Sequence, residues 1–528
     1  MSAESLPAIA IPARVPLTHR TRGGLGVAAG ALALGVAGDV LLRPIPWGLN
    51  LTLWVALLAG AAYGLQRWAK TEEALVEWIP VAMAIAALMA WRDSPTLKGL
   101  DLIALGLVLG LAVWRAGGGS VRIAGLARYC EGLLTALAET VLGAGLLVGK
   151  DVRWSELRRD GWTNHAMAAA RGAAIALPLL LVFGALLMSA DAGFDRLISA
   201  TFNLDVPLTF SHVGLTLVFA WGAAGVLRAL VLPAARPAEA PASAGEPKRP
   251  RLGVIETATV LGLLDLLFLA FVLVQLPHFF GSYSDLLQPG TATFSDYARR
   301  GFFELCFVAA LVLPLLLGMH WLARRDDPRE ERVFRIAAGT MVGLVFVIIL
   351  SALHRMRLYQ TAYGLTELRV YTTAFMFWLV AVFAWFGWTV LRGRRERFAF
   401  GAVTAAVETV VLLHVANPDA LIVRVNAARD EAVVRFDALY ATSLSGDAVP
   451  ALLKRLPAVP ADHRCPVATR LLRDWSGADE DWRAWSLGRS RAVSAVRARR
   501  AELEGMCPAP APVTAAAPAT ASAPGGGA

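Results

Sequence analysis

Charged residues are scarce in this 528-residue sequence. Asp, Glu, Lys and Arg make up 17% of the residues, whereas a typical soluble domain has about 25%. Hydrophobic residues make up 56%, and the mean hydropathy is +0.55. This balance excludes a water-soluble protein of ordinary composition and predicts a chain that lies mostly in a membrane. The net charge of +9 comes from Lys and Arg in short loops between apolar runs, so it indicates membrane topology, and we expect no nucleic-acid partner.

Cysteine and histidine, which provide many metal ligands, are also scarce. The sequence has four Cys and eight His, no two His have the i, i+4 spacing of a zinc helix, and no Cys/His cluster exists. It also lacks a Gly-x-Ser-x-Gly turn and any plausible nucleophile–base pair. We therefore expect no metal site, no cofactor and no catalytic residue. The sequence favours a protein that is not an enzyme.

Apolar runs of about 20 residues recur along the chain, and each such run is long enough to cross about 30 Å of hydrocarbon. Many Trp residues stand at the ends of these runs, as in an interfacial aromatic belt. The predicted fold is therefore all-α: a polytopic transmembrane helix bundle of about 11 spans, followed by a small helical extramembrane domain. The candidate spans are 25–42, 47–66, 75–91, 97–114, 172–191, 209–232, 254–280, 301–322, 333–354, 371–391 and 398–416.

The orientation depends on residues 122–148, which are apolar but carry Arg122, Arg128, Glu131 and Glu139. If this stretch does not cross, the connections on one side hold 26 Lys and Arg, and those on the other side hold 9. If it crosses once, the basic loops after residue 230 all move outside, against the positive-inside rule. We therefore expect an interfacial or re-entrant helix at 122–148, a cytoplasmic N-terminus and an extracytoplasmic C-terminal domain.

Changes of composition divide the chain. Asn417 and Pro418 are typical of a helix start, with Asn as the N-cap and Pro in the first turn. Cys465 and Cys507 flank the helices that follow, and they are either two free thiols or a disulfide. The predicted parts are a cytoplasmic N-terminal segment (1–24), a first membrane half (25–232), a basic Pro/Ala linker (233–253), a second membrane half (254–416), a helical extramembrane domain (417–506) and a disordered Ala/Pro tail (507–528).

Six strings follow one another along the chain: RGAAIALPLLLVFGALLMSADAGF (171–194), IETATVLGLLDLLFLAFVLVQLPHFFG (255–281), FSDYARRGFFEL (294–305), RMRLYQTAYGLTELRVY (355–371), NPDALIVRVNAARD (417–430) and DWRAWSLGRSRA (481–492). In this order they resemble the bacterial multi-pass membrane family called domain of unknown function 4173, within the wider 4153-like group. WRDSPTLKGLDL (91–102) is similar to its N-terminal signature, whereas Pro277-His278 stands where an aromatic residue is expected. The resemblance covers roughly residues 90–505. It implies a multi-pass protein of the bacterial inner (plasma) membrane and implies no activity.

Acidic residues inside apolar runs are costly, at about 2.5–3.5 kcal/mol each at a helix centre on insertion scales. Asp265 and Glu408 lie well inside their runs, and Glu304 lies one turn into its run. Two interpretations remain open for these residues: an interhelical hydrogen bond or ion pair, or part of a ligand or proton path.

A second set of polar residues falls on the extracytoplasmic face of the predicted topology. Its Arg side chains would offer paired donors to a phosphate or carboxylate. The alternative is a structural salt-bridge cluster that docks the outer helices onto the bundle. The candidate ligand-binding residues are Tyr297, Arg299, Arg300, Glu304, Arg355, Arg357, Tyr359, Tyr363, Glu367, Arg369, Asn417 and Asp419.

These observations favour an integral membrane protein without enzymatic activity that binds a partner or ligand at its extracytoplasmic face, as a sensor or accessory protein. The expected partners are the lipid bilayer and another membrane or envelope protein. One alternative is a transporter of small molecules or ions. Another alternative is a membrane enzyme that acts on a lipid-linked anionic substrate.

Overall fold

The structure is a computed structural model that describes residues 18–69, 77–157, 206–232, 252–280, 302–322, 328–429, 436–477 and 481–507, with isolated positions between 169 and 191. The helices of the membrane part are α1 (His19–Leu42), α2 (Leu49–Ala69), α3 (Ile79–Trp91), α4 (Pro95–Ala116), α5 (Leu126–Leu146), α6 (Val206–Val231), α7 (Val254–Phe280), α8 (Phe302–Leu322), α9 (Pro328–Tyr363), α10 (Glu367–Thr389) and α11 (Phe398–Ala416). The helices of the C-terminal part are α12 (Pro418–Asn426), α13 (Ala438–Ser443), α14 (Val449–Lys454), α15 (Ala461–Asp474), α16 (Leu487–Ala498) and α17 (Arg500–Glu504).

Ten helices in the described ranges are long and apolar enough to cross a membrane, and α3 is a shorter apolar helix of 13 residues. Their outer sides carry exposed apolar residues; on α7, Ile255 is 80% exposed and Val274 is 68% exposed. Such a surface is unfavourable in water and matches lipid chains. The predicted all-α polytopic membrane fold is therefore confirmed. The predicted span 172–191 lies almost wholly outside the described residues.

Contacts between helix ends give the bundle two faces. At one, which we call the domain face, the helices after Asn417 meet the membrane helices: the Leu49 N–H donates to the Trp485 carbonyl at 2.8 Å. At the other, which we call the opposite face, the end of α2 meets the end of α6, and the Gln66 Nε2 donates to the Leu230 carbonyl at 2.9 Å. Helices α1 to α4 run alternately between these two faces.

Both ends of α5 lie at the opposite face. Before its first turn, the Ala124 N–H donates to the Glu396 carbonyl at 2.8 Å, in the loop between α10 and α11. Beyond its last turn, Asp151 pairs with Arg20 at the start of α1 (2.8 Å) and with Arg228 near the end of α6 (2.5 Å). The length and composition of Leu126–Asp151 would permit a span, whereas these contacts hold both of its ends at the same face.

Helix α6 packs closely against α1 and α5 because glycine at two contact points leaves no side chain between the backbones. A Cβ on Gly35 would lie 2.5 Å from the Thr216 carbonyl oxygen, and a Cβ on Gly225 would lie 1.9 Å from the Thr140 carbonyl oxygen. Either substitution requires the helices to move apart, since real Cβ atoms do not approach an oxygen so closely.

The C-terminal helices form a core of their own, in which Leu452, Val467 and Ala492 are fully buried. Asn417 begins this part as predicted: it is the N-cap of α12, its side-chain oxygen accepts from the Ala420 N–H at 3.2 Å, and Pro418 opens the helix. The structure joins Cys465 to Cys507 in a disulfide across 42 residues. We call the described residues from 417 to 507 the C-terminal unit, which meets the membrane helices at the domain face.

Candidate functional site

The C-terminal unit is fastened to the membrane bundle by the loop between α3 and α4, residues 92–94. Helix α3 ends at Trp91, because Arg92 has extended backbone, and α4 begins at Pro95 after the Ser94 N-cap. This short connection places three polar residues in a row at the domain face. All three residues are buried nonetheless, with exposed fractions of 8%, 7% and 1%, because the C-terminal unit covers them.

Arg92 and Asp93 form a reciprocal network with Asp447, at the turn before α14. The Arg92 Nη1 lies 3.3 Å from Asp447 Oδ1, and the Asp93 N–H donates to Asp447 Oδ2 at 2.6 Å. In return, the Gly446 N–H donates to Asp93 Oδ2 at 3.2 Å, and Lys98 Nζ lies 3.1 Å from Asp93 Oδ1. Two buried cations and two carboxylates therefore compensate one another, as a buried charge requires. The half-buried Arg489 also contributes, with Nη1 4.0 Å from Asp93 Oδ1.

Arg92 also reaches into the membrane bundle, where its Nε and Nη2 donate to the His414 carbonyl at 2.9 and 2.6 Å. The His414 ring is fully buried, and its Nε2 lies 3.2 Å from Asp101 Oδ2 of α4. One guanidinium thus connects α3, the end of α11 and the C-terminal unit. Movement of any one of these elements would disturb the other two.

Above this network lies a cavity of about 460 Å³, the domain-face pocket. Five of its lining residues are basic, and they come from the loop before α4, from α12, from the end of α14 and from α16. Asp447 is the only acidic residue among the described residues that line it. The complete lining is Arg92, Asn417, Ala420, Arg424, Gly446, Asp447, Pro450, Ala451, Lys454, Arg455, Gly488 and Arg491.

Three cations of the domain-face pocket have no counter-charge from the described residues. Lys454, Arg455 and Arg491 are exposed, and no carboxylate in the described ranges lies within 4.0 Å of their charged nitrogens. Arg424, also exposed, donates from Nε to the Ala420 carbonyl at 3.1 Å and forms no ion pair with the described residues. These positive charges repel one another, and a bound anion would offset the repulsion.

Beside the pocket, Asp419 is 1% exposed on the first turn of α12. Its Oδ2 accepts from the Ser445 N–H at 3.3 Å and from the Ser445 hydroxyl, whereas Oδ1 has no hydrogen-bond partner in the structure. Burial, together with the charges of Glu367 and Asp447, raises the pKa of Asp419 to about 6, although the Ser445 hydroxyl acts in the other direction. Burial also raises the pKa of Asp447, against the lowering effect of Arg92. The junction therefore contains two carboxyl groups whose pKa lies above its ordinary value.

Among the candidate ligand-binding residues predicted from the sequence, Asn417 lines the domain-face pocket and Asp419 lies beside it. Tyr359, Tyr363 and Arg369 instead pack on one another: the Arg369 guanidinium lies 4.0 Å from the Tyr359 ring centroid, and the two tyrosine rings are 5.1 Å apart. Arg369 also donates to the Gly364 carbonyl at 2.5 Å. This trio holds the turn between α9 and α10.

The other predicted residues that the structure describes do not line the domain-face pocket. At the start of α10, the Glu367 N–H donates to the Tyr440 hydroxyl at 3.1 Å. Arg355 and Arg357 lie on the last turns of α9. Glu304 lines a separate open groove of about 670 Å³ between α8 and α10, with Tyr371, Phe307 and Phe375. The predicted residues Tyr297, Arg299 and Arg300 lie outside the described residues.

The two acids predicted deep in the membrane lie apart. Asp265 is half-buried on α7, which packs mainly against α9, and its Oδ1 has no hydrogen-bond partner in the structure. Glu408 is exposed on α11, which packs against α10 and α4. The two alternatives for these residues, interhelical bonding or a ligand or proton path, stay predictions.

Sequence reasoning missed the residues that make the domain-face pocket basic. Lys454 and Arg455 stand at the end of a short helix, and Arg491 lies on the exposed side of α16, which are ordinary places for solvated charge. The one available signal was the string WRDS, since an Arg-Asp pair between two apolar runs must find partners on folding. Nothing in the sequence indicated Asp447 as that partner.

Comparison with known families matches residues 79–455, more than two thirds of the chain, to the family described as Domain of unknown function (DUF4153). The match includes the loop before α4, Asp447 and the end of α14. No curated protein and no solved structure matches the chain.

Proposed function

This chain belongs to the family described as Domain of unknown function (DUF4153), and for this member we propose a non-enzymatic function: it binds an anionic ligand in the domain-face pocket, as a membrane sensor or accessory protein. The observation that carries the proposal is the basic pocket, in which Lys454, Arg455 and Arg491 have no acidic partner among the described residues. The chemical class of the ligand is a phosphate or a carboxylate.

The geometry suits an anion of small-molecule size. Cavities of about 300–1,000 Å³ are usual for ligand sites, and the pocket has about 460 Å³. Guanidinium groups donate paired hydrogen bonds to phosphate or carboxylate oxygens, and Lys adds a point charge. Arg92 and Asp447 neutralise one another at the floor, so an incoming anion meets the uncompensated positive charge of the rim.

The lining favours binding over catalysis. It contains no His, Cys, Ser, Thr or Tyr side chain among the residues that the structure describes, so it offers no hydroxyl, thiol or imidazole nucleophile. Asp447, its one carboxylate, is already engaged by Arg92 and by the Asp93 N–H. A general base must be free to take a proton from its substrate, and Asp447 is not.

We also propose that the domain face is extracytoplasmic, in the inner membrane of a bacterium, with 11 spans and a cytoplasmic N-terminus. Both ends of α5 contact the opposite face, which supports an interfacial or re-entrant helix rather than a span. The disulfide between Cys465 and Cys507 supports an oxidising compartment for the C-terminal unit. In this orientation the pocket is accessible to ligands or partners outside the cytoplasm.

The test is isothermal titration calorimetry of the full-length protein in detergent, with inorganic phosphate, pyrophosphate and citrate as probes. We expect at least one probe to bind, and the triple variant K454Q/R455Q/R491Q to bind it at least about a hundredfold more weakly, since hydrogen bonds to charged groups contribute about 1.5–3 kcal/mol each. The matched control R473Q/R497Q/R500Q removes three exposed arginines of the same unit outside the pocket and should bind normally. Absence of binding to the wild type, or equal losses in both triple variants, would contradict the proposal.

One observation favours a second candidate, a membrane enzyme that acts on a lipid-linked anionic substrate. The groove between α8 and α10 is apolar at Phe307 and Phe375 and carries the carboxylate of Glu304, an arrangement that admits a lipid chain beside an acid. Incubation of the reconstituted protein with a bacterial polar lipid extract, followed by mass spectrometry, distinguishes the two functions. A product made by the wild type and not by Glu304→Gln would favour the enzyme; an unchanged lipid profile is expected from the binding function.

A further inference from the structure

A second basic cavity lies at the opposite face, in the connection between α10 and α11. Helix α10 ends at Thr389, and the sequence Arg392–Arg397 reads RGRRER. Gly393 has φ +75, a left-handed conformation that reverses the chain there, and a single 3-10 turn at Arg395–Arg397 leads into α11. The tight turn concentrates four arginines within six residues.

The cavity has a volume of about 630 Å³ and is lined by Ile123, His320, Gly393, Arg394, Arg395, Glu396 and Arg397. Two hydrogen bonds fix the turn that forms its basic wall. The Glu396 carbonyl accepts from the Ala124 N–H at 2.8 Å, and the Arg397 carbonyl accepts from Trp385 Nε1 at 3.3 Å. The basic wall is therefore anchored to the start of α5 and to α10, instead of projecting as a free loop.

The guanidinium groups of Arg394, Arg395 and Arg397 are exposed, and no carboxylate of the described residues lies within ion-pair distance of them. Glu396, between them in sequence, is exposed and forms no ion pair in the described part of the chain. The wall consequently carries three cations against one anion. An anion with several oxygen atoms would relieve this repulsion through paired hydrogen bonds.

Apolar groups beside the cavity favour a lipid as the source of that anion. Trp388 is 53% exposed, and Arg392 stacks on it at 3.9 Å from the ring centroid. Ile123, which lines the cavity, is 52% exposed, and Leu126, at the start of α5, is 39% exposed. Exposed apolar groups, an amphipathic Trp and arginines at the ends of membrane helices coincide at the level where phospholipid headgroups lie.

We propose that this cavity binds the phosphodiester headgroup of an anionic phospholipid, whose acyl chains run along the exposed apolar residues beside it. The same arginines also contribute to membrane orientation, because cytoplasmic loops favour any Lys or Arg. Orientation depends on positive charge alone, whereas headgroup binding gains further affinity from the paired donors of the guanidinium group and from the shape of the anchored turn. The two roles can therefore be separated by exchanging Arg for Lys.

The test is native mass spectrometry of the full-length protein in detergent, titrated with phosphatidylglycerol and, separately, with phosphatidylcholine. For the wild type we expect preferential retention of phosphatidylglycerol. Each surface cation contributes about fivefold in affinity for an anionic lipid, so R394Q/R395Q/R397Q should bind phosphatidylglycerol about a hundredfold more weakly. The variant R394K/R395K/R397K keeps the charge that orients the chain and should lose only part of this affinity.

The matched control is R329Q/R332Q/R335Q, which removes three exposed arginines from the start of α9 at the same face; it should retain phosphatidylglycerol like the wild type. Retention by the R394Q/R395Q/R397Q variant, or an equal loss in the control, would overturn the proposal. So would displacement of the lipid by excess inorganic phosphate, since that result would assign the cavity to a free anion. This test uses a different face, ligand and set of residues from the domain-face pocket, so the two proposals can fail separately.

Discussion

Replacement of Asp447 by alanine tests the junction on which the domain-face pocket rests. Asp447 accepts hydrogen bonds from the Arg92 guanidinium and the Asp93 N–H, and the side chains of Arg92 and Asp447 are 10% and 3% exposed. Removal of one partner leaves the Arg92 charge buried beside Lys98 with only Asp93 to offset both. Breaking a buried ion pair in this way costs about 3–5 kcal/mol.

Hydrogen–deuterium exchange in detergent measures this cost locally. Peptides that contain Asp93 or Gly446 should exchange at least about a hundredfold faster in Asp447→Ala, because about 1.4 kcal/mol corresponds to a tenfold change in the opening equilibrium. Asp447→Asn keeps the shape and one acceptor and should show a smaller increase. Asp462→Ala removes an exposed acid of the same unit and should change exchange little. Unchanged exchange in Asp447→Ala would refute the idea that this network fastens the C-terminal unit to the bundle.

Two further predictions concern the C-terminal unit. Because the pKa of Asp419 is raised to about 6, its protonated form stabilises docking at low pH. This stabilisation, about 3 kcal/mol, is lost as the pH rises from about 4 through 6. The variant Asp419→Asn cannot ionise at this position and should not show the loss. The measurement is the pH dependence of the unfolding free energy of wild type and variant, and parallel curves would contradict the assignment. Replacing Cys465 and Cys507 with serine opens a loop of 42 residues, so we expect a loss of about 2–4 kcal/mol in the same assay; equal stability of oxidised and serine-substituted protein would argue against the disulfide.

The apolar pattern of the sequence was sufficient to predict helices of the membrane part. Runs such as 254–280 and 398–416 coincide with α7 and α11, because the thickness of the bilayer fixes both length and composition. The Asn417–Pro418 helix start was also predictable, since its capping is local. These predictions depend on neighbouring residues only.

Contacts between distant parts of the chain were not predictable in this way. Asp93 and Asp447 are separated by 354 residues, and neither hydropathy nor charge counting indicates which loop a given Asp will meet. Arg369 and Tyr359 have the residue types of an anion site and instead pack on each other. The chemistry of a side chain suggests what it can bind, whereas the tertiary structure decides what it contacts.

Glycine spacing is another sequence pattern that does not predict tertiary contacts. Gly60 and Gly64 have the four-residue spacing that is typical of close helix packing, yet a Cβ on either would meet nothing within 4 Å. The tight contacts occur at Gly35 and Gly225, which have no such spacing partner and face α6 and α5 respectively. In a chain with 47 glycines, spacing alone does not identify the helix faces that approach each other.

The measurement that tests the central claim most directly is a hydrogen–deuterium exchange footprint of the full-length protein with and without saturating pyrophosphate. Binding in the domain-face pocket should slow exchange in the segments that line it, 417–424, 446–455 and 488–491, and this protection should disappear in K454Q/R455Q/R491Q. Protection confined to other segments, or none at concentrations that saturate binding in calorimetry, would contradict an anion site at the junction of the membrane bundle and the C-terminal unit.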